Sequence, residues 1–296
     1  MRIVIAGASG LIGGALVPAL RARGHEVIRL VRRPPRDSGE VFWNPATSEL
    51  DATRLEGADA FVNLAGENVA QRWTAASRER IWHSRIDATR TLVLALDRLK
   101  HKPAVFVNAS AIGFYGDCGD EELTEASGIG SGFLPEVCLA WETHAEGASR
   151  RGVRTAVLRV GVVIAREGGP LAKMLPIFRL GLGGRLGEGR QWMSWVSLDD
   201  AVGAIIHVLA NGNCRGPVNV VAPTPVTNAD FTGTLARALH RPALAPVPGA
   251  VLRFVFGQMA QDMLLGSTRA LPISLQETGF RFQHSTLEVA LRAAKL

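Results

Sequence analysis

Residues 2–13, RIVIAGASGLIG, constrain the fold more than any other stretch of the chain. RIVIA is a short apolar run with the β-branched content of a buried strand. It leads straight into a turn with glycine at Gly7, Gly10 and Gly13. The pattern over 11–23 is then helical and stops at Gly24. In a strand–turn–helix of this kind each glycine has its own task. Gly7 permits the tight turn, Gly10 removes a side chain where backbone must approach pyrophosphate, and Gly13 lets the helix pack on the strand. The helix start adds free N–H groups and the positive end of the helix dipole. The motif therefore predicts a dinucleotide phosphate site made by Gly7, Ser9, Gly10, Leu11, Ile12 and Gly13.

A second strand is expected over 26–31. Chains that bind NAD usually carry Asp or Glu at its end to hold the ribose hydroxyls. Here the sequence reads Val31-Arg32-Arg33. Two guanidinium groups suit a 2′-phosphate, so NADP is the expected cofactor, against a solvated surface pair as the alternative.

Strands are expected over 60–64, 104–109, 155–163 and 217–221, and helices over 75–95, 133–150, 196–211 and 231–239. The alternation predicts an α/β, Rossmann-type, doubly wound parallel sheet. Residues 1–163 are assigned to the core, with part of 196–222 returning to it. Residues 164–296 are assigned mainly to a smaller substrate lobe and a C-terminal helical segment. Ser197 is placed at the start of its helix, with Asp199 and Asp200 in the first turn.

The formal charge is +6, but the arginines are spread along the chain without a basic tail or stacking aromatics, so nucleic acid is not an expected partner. The apolar runs are too short to span a bilayer, and no signal peptide is read, so a cytoplasmic chain without membrane contact is expected. The three cysteines, Cys118, Cys138 and Cys214, show no C-x-x-C spacing. His83 and His144 lack a partner at metal spacing, and no metal site is expected.

Several segments carry a family resemblance. GASGLIG, FVNLAG at 61–66, RIDAT at 85–89, SAIGFYG at 110–116 and GEGRQWMSWVSLDD at 187–200 resemble the extended short-chain dehydrogenase/reductases, the NAD-dependent epimerase/dehydratase group. NLAGEN, FRLGLGG and MLLGSTRALPISLQETGF resemble the atypical YfcH-like epimerase family proteins, whose C-terminal domain has no known function. The resemblance spans nearly the whole chain. It implies that Leu64, Ala65, Arg85 and Val163 join the cofactor site and that Gln191 contacts the substrate; Trp195, as an aromatic, is a candidate to line the cleft, against a place in the core. Trp73 and Trp192 are further candidates for that cleft. It also implies a dimer through the helices at 75–95 and 133–150, with monomer as the other option.

The family's chemistry uses a Ser/Thr, a Tyr acting as acid/base and a Lys four residues on. That pair is missing. Its positions fall on Leu134 and Cys138, and the hydroxyl position falls on Ala111 or, one residue away, Ser110. Tyr115 is the chain's one tyrosine. The catalytic candidates are therefore Tyr115, Ser110 and Glu67, the last at a strand end where functional groups gather. Tyr115 is read as acid/base against a half-buried packing residue with a satisfied hydroxyl, and Glu67 as acid/base or a holder of a substrate hydroxyl against a capping or surface role. Two functions stay open. One is an NADP-dependent oxidoreductase or epimerase-like enzyme acting on a small molecule; the other is an inactive NADP-binding sensor or scaffold.

Overall fold

The apolar runs assemble side by side in a computed structural model that describes all residues 1–296. The first half holds β1 (Arg2–Ala6), α1 (Leu11–Arg21), β2 (Glu26–Val31), β3 (Glu40–Asn44), β4 (Glu49–Leu50), β5 (Ala60–Asn63), α2 (Ala75–Ala95), β6 (Val105–Ala111), β7 (Glu122–Leu123) and α3 (Phe133–Ser149). The second holds β8 (Arg154–Val160), β9 (Val162–Ile164), α4 (Gly169–Arg179), β10 (Trp192–Met193), β11 (Trp195–Ser197), α5 (Leu198–Ala210) and β12 (Gly216–Val220). It continues through β13 (Val226–Thr227), α6 (Asn228–Ala238), α7 (Gly249–Phe256), β14 (Arg269–Ala270), α8 (Ile273–Glu277) and α9 (Leu287–Ala293).

Eight strands form the main sheet in the order β12-β8-β6-β5-β1-β2-β3-β4. Only β4 runs antiparallel to its neighbour. Both faces are covered, as parallel sheets require. One face packs α1 and α5 through Leu16, Leu20, Ala204 and Ile205; the other packs α2 and α3 through Ala88, Leu92, Ala145 and Ala148. The expected doubly wound parallel sheet is present. The chain leaves β1 toward β2 on one side and later returns to place β5 on the other. The crevice outside the carboxyl ends of β1 and β5 is thus the switch point where such sheets take ligands. No helix is long and apolar enough to cross a membrane.

Two local readings needed correction. The stretch between the second and third expected strands contains β3 and β4. Glu40 opens β3 and is only 1% exposed, so its charge hides a buried strand from a hydropathy reading. The run at 155–163 breaks at Gly161. A Cβ there would lie 2.6 Å from the Ser194 carbonyl oxygen, so only glycine lets the chain pass this point. Beyond it β9 leaves the main sheet and pairs with β11. A separate apolar cluster follows, built on Leu171, Phe178, Trp195, Phe231 and Leu291.

Candidate functional site

The crevice at the switch point is a cleft of about 1060 Å³. Its wall is made by the loops after β1 (Gly7, Ala8, Ser9, Gly10), β2 (Arg32, Arg33) and β5 (Leu64 to Glu67), with Ser84 and Asp87 from α2. Gly7 has φ +79°, and a Cβ on it would sit 2.6 Å from Leu64 backbone. A Cβ on Gly13 would lie 2.2 Å from the Gly7 carbonyl oxygen. These two glycines are needed to build the turn. Gly10 differs: its nearest neighbour would be Gly7 O at 3.4 Å, and the rest of the surrounding space is the cleft. Gly10 caps α1 without any side-chain bond to the helix amides. The first N–H groups and the dipole end therefore face the cleft, as an anion site requires. Neither Leu11 nor Ile12 puts its side chain on the cleft wall. The Leu11 side chain packs on Gly168, and Ile12 lies against the core.

The arginine pair is split by the fold. Arg33 grips Glu40 through two bonds of 2.6 and 2.7 Å. Arg32 is exposed on the cleft wall, with neither an ion pair nor a hydrogen bond to its side chain. Both arginines line the cleft, but only Arg32 is unpaired, because Glu40 arrives on the strand that sequence reading missed. The bonds from Arg33, then the Arg36 amide, lower the Glu40 carboxyl from its ordinary 4.5 to about 2. A folded-state value below the unfolded one means stability is present above about pH 4.5 and is lost as pH falls toward 2. Unfolding followed across that window is expected to show a shallower acid loss in Glu40→Gln than in the parent chain.

Tyr115 and Ser110 lie in a closed buried network. Ser110 donates to Glu142 Oε1 at 2.7 Å. Arg159 meets the same carboxylate through Nε at 3.0 Å and Nη2 at 2.9 Å. Its Nη1 donates to the Tyr115 hydroxyl at 3.1 Å. That hydroxyl has one proton to give, and the acceptors Asn219 Oδ1 at 2.7 Å and the Thr124 carbonyl at 2.9 Å both lie within reach of it. Tyr115 is 0% exposed and Ser110 4%. Burial, more than the opposing Arg159 contacts, raises the Tyr115 hydroxyl above its ordinary value. This corrects the reading of Tyr115 as acid/base: a neutral phenol with its bonding capacity spent braces β8 against β12. Tyr115→Phe is expected to cost about 1–3 kcal/mol of stability, since Asn219 and Arg159 each lose a partner. Dinucleotide affinity is expected to stay unchanged. Calorimetric unfolding beside a binding titration checks both.

Glu67 is the candidate that does reach the cleft. Gln71 Nε2 and Arg80 Nε each donate to its Oε1 at 3.0 Å, lowering its carboxyl below the ordinary range. Near neutral pH it is a carboxylate, able to accept a proton or a hydroxyl but not to donate. Arg85 takes a different place from the expected one. Its guanidinium donates to the Ile81 and Glu67 carbonyls, lies 5.0 Å from the Trp141 ring centre and backs onto Gly66. It braces the loop behind the cleft wall, and burial lowers its pKa.

The substrate-lining expectations are also revised. Trp195 is fully buried in the lobe core, with Nε1 bonded to the Thr224 carbonyl. Gln191 Nε2 clamps the Leu186 and Leu264 carbonyls at 3.1 and 2.9 Å, joining two loops. Trp73 stacks edge-on against Phe133 at 5.0 Å, and Trp192 bonds Asp120 at 2.8 Å. Val163 pairs with Val196 and packs on the core rather than on the cleft wall. Sequence reading missed Arg159, Glu142 and Asn219. One signal was available: an arginine in the middle of the apolar run TAVLRVGVV must find a buried partner.

The sheet order and the uncapped glycine turn define an open α/β protein of the dinucleotide-crevice type. Residues 3–221 match the NAD dependent epimerase/dehydratase family, and residues 247–294 match a domain of unknown function, DUF1731. The chain belongs to the NAD dependent epimerase/dehydratase family. It is 45% identical over 290 residues to an epimerase family protein of Mycobacterium bovis, covering 98% of this chain and 96% of that one. It is 37% identical to the human epimerase family protein SDR39U1 over 298 residues, covering 99% of each. The crystal structure of human SDR39U1 (isoform2) with NADPH superposes with a TM-score of 0.90 at 35% identity, over 100% of this chain and 99% of that one. A dTDP-glucose 4,6-dehydratase of Streptomyces venezuelae, with a TM-score of 0.76 and 22% identity over 100% of this chain and 97% of that one, shares the fold.

Proposed function

We propose that this chain binds NADPH in the cleft and reduces a small carbonyl substrate without a Tyr–Lys pair. Arg32 is the observation that carries the cofactor choice. It is an unpaired guanidinium at the end of β2, beside the phosphate turn, where an NAD binder would carry an acid. The human relative crystallised with NADPH supports the same choice. In this reading the amides of Leu11, Ile12 and Gly13 hold the pyrophosphate, Ser9 and Arg32 the 2′-phosphate end, and Leu64 and Ala65 flank the adenosine. Arg32→Ala is expected to weaken NADPH binding at least about tenfold, or roughly 1.4 kcal/mol, and to leave NADH binding unchanged. Calorimetric titration with both nucleotides checks it.

When bound, the nicotinamide supplies a hydride to the carbonyl carbon while the carbonyl oxygen gains a proton. Ser110 and Tyr115 are already committed to internal bonds. The Cys138 thiol, pushed up to about 11 chiefly by burial, is 3% exposed. In this reading the proton reaches the product from cleft water, and Glu67 orients the substrate through a hydroxyl. A second reading, an NADPH-binding sensor, is favoured by Leu134 and Cys138 standing where the family's Tyr and Lys belong. NADPH consumption against a panel of aldehydes, ketones and keto sugars separates the two. Stoichiometric oxidation with any of them upholds the enzyme; tight binding with no turnover throughout upholds the sensor.

A further inference from the structure

Thirteen large apolar side chains of the chain are exposed, and eight of them fall in two short segments. Ile177, Leu180 and Leu182 lie in 177–187; Leu244, Val251, Phe254, Val255 and Phe256 lie in 241–256. The segments are neighbours. The Gly187 amide donates to the Val247 carbonyl at 2.9 Å, and the Val247 amide donates to the Arg185 carbonyl at 2.9 Å. A Cβ on Gly181 would meet the Pro242 ring at 3.5 Å. Leu244 and Phe254 are each 85% exposed and Leu180 is 74% exposed, so these side chains stand out from the edge of the lobe. Leu252 anchors α7 beneath them.

Within the two segments the charge has one sign, and the neighbouring Glu188 is held by Arg190. Arg179, Arg185, Arg241 and Arg253 are all exposed, and neither segment contains Asp or Glu. None of the four is in an ion pair; Arg253 bonds only the neutral Gln261 side chain. We propose that this edge docks on an anionic lipid surface. Protruding Phe and Leu tips enter the boundary between headgroups and acyl chains, and guanidinium groups beside them stay at phosphate level. An isologous contact with a second copy would bring two sets of four unpaired arginines face to face, which opposes self-association through this edge. The contact lies on the membrane and does not span it. Sequence reading gave no membrane partner because it asked whether an apolar run could span a bilayer, and a surface contact needs exposed side chains rather than a long run.

Co-sedimentation with phosphatidylcholine vesicles, and with vesicles that also carry phosphatidylglycerol, tests the proposal. The full chain is expected to pellet with the anionic vesicles only, and to be released by salt. Arg179→Gln and Arg253→Gln are each expected to lower the partition about fivefold. The pair Leu244→Ser with Phe254→Ser is expected to abolish it while NADPH titration still reports a folded cleft. Failure to pellet, equal pelleting on neutral vesicles, or undiminished pelleting of the Leu244/Phe254 variant overturns the proposal. So does a concentration-dependent dimer of the parent chain that the same variant dissolves, since a second copy then covers the edge. These outcomes do not bear on the cofactor reading, which rests on the opposite side of the argument, at Arg32.

Discussion

Replacing Arg159 with methionine is expected to remove about 3–5 kcal/mol of unfolding free energy. Arg159 sits on β8 with its side chain 5% exposed, and its partner Glu142 on α3 is 12% exposed. Two bonds to the carboxylate, one to Tyr115 and a ring contact 3.5 Å from the Phe114 centroid account for its placement. Both charges have left water, and each is tolerated because the other is there. Methionine fills the volume but leaves the carboxylate with the Ser110 hydroxyl alone. The loss is therefore the cost of an uncompensated buried charge, larger than the net worth of the pair. The double variant Arg159→Met with Glu142→Gln removes that charge and is expected to recover most of the loss. Urea unfolding of the two variants decides the matter. Equal loss in both would mean that the network fills space rather than balances charge.

The same network shows where sequence reading stops. The phosphate turn was legible because everything it needs is local: glycines at 7, 10 and 13 between a strand and a helix follow from backbone geometry. Ser197 as the cap of α5 was legible for the same reason, and its side chain accepts from the Asp200 amide. Tyr115 was misread because its partners come from three distant places, at Thr124, Arg159 and Asn219. Nothing within a few residues of it reveals that its hydroxyl is spent. Arg33 does line the cleft, but its pairing was hidden: the carboxylate is only seven residues away, and reaching it requires β3, whose first residue is a glutamate. Trp195 was placed as an aromatic and Gln191 by resemblance, and neither ground says which way a side chain points. In the structure one fills the lobe core and the other ties two loops together.

Among the three turn glycines, substitution at Gly10 is expected to separate folding from binding, with NADPH affinity falling at least about a hundredfold, or roughly 2.7 kcal/mol, in Gly10→Val. Gly10 has φ −74° and ψ 174°, extended backbone that any residue adopts. An added Cβ there meets only the Gly7 oxygen at 3.4 Å, so the first carbon of a side chain has room. That room is the cleft, directly over the uncapped amides of α1, where a pyrophosphate must come close to the backbone. Stability is expected to change by less than about 1 kcal/mol, since backbone strain is absent and the loss is confined to valine being a poorer N-cap than glycine. Gly13→Ala makes the contrast. Its Cβ would lie 2.2 Å from the Gly7 oxygen and 2.8 Å from Ala8 Cα, so α1 must back away from β1. That variant is expected to lose stability and binding together. Thermal unfolding and nucleotide titration on both proteins give four readings. If Gly10→Val binds NADPH as the parent does, the phosphates lie elsewhere and the turn is structural. If it unfolds as readily as Gly13→Ala, the open space at Gly10 is not what keeps that position a glycine.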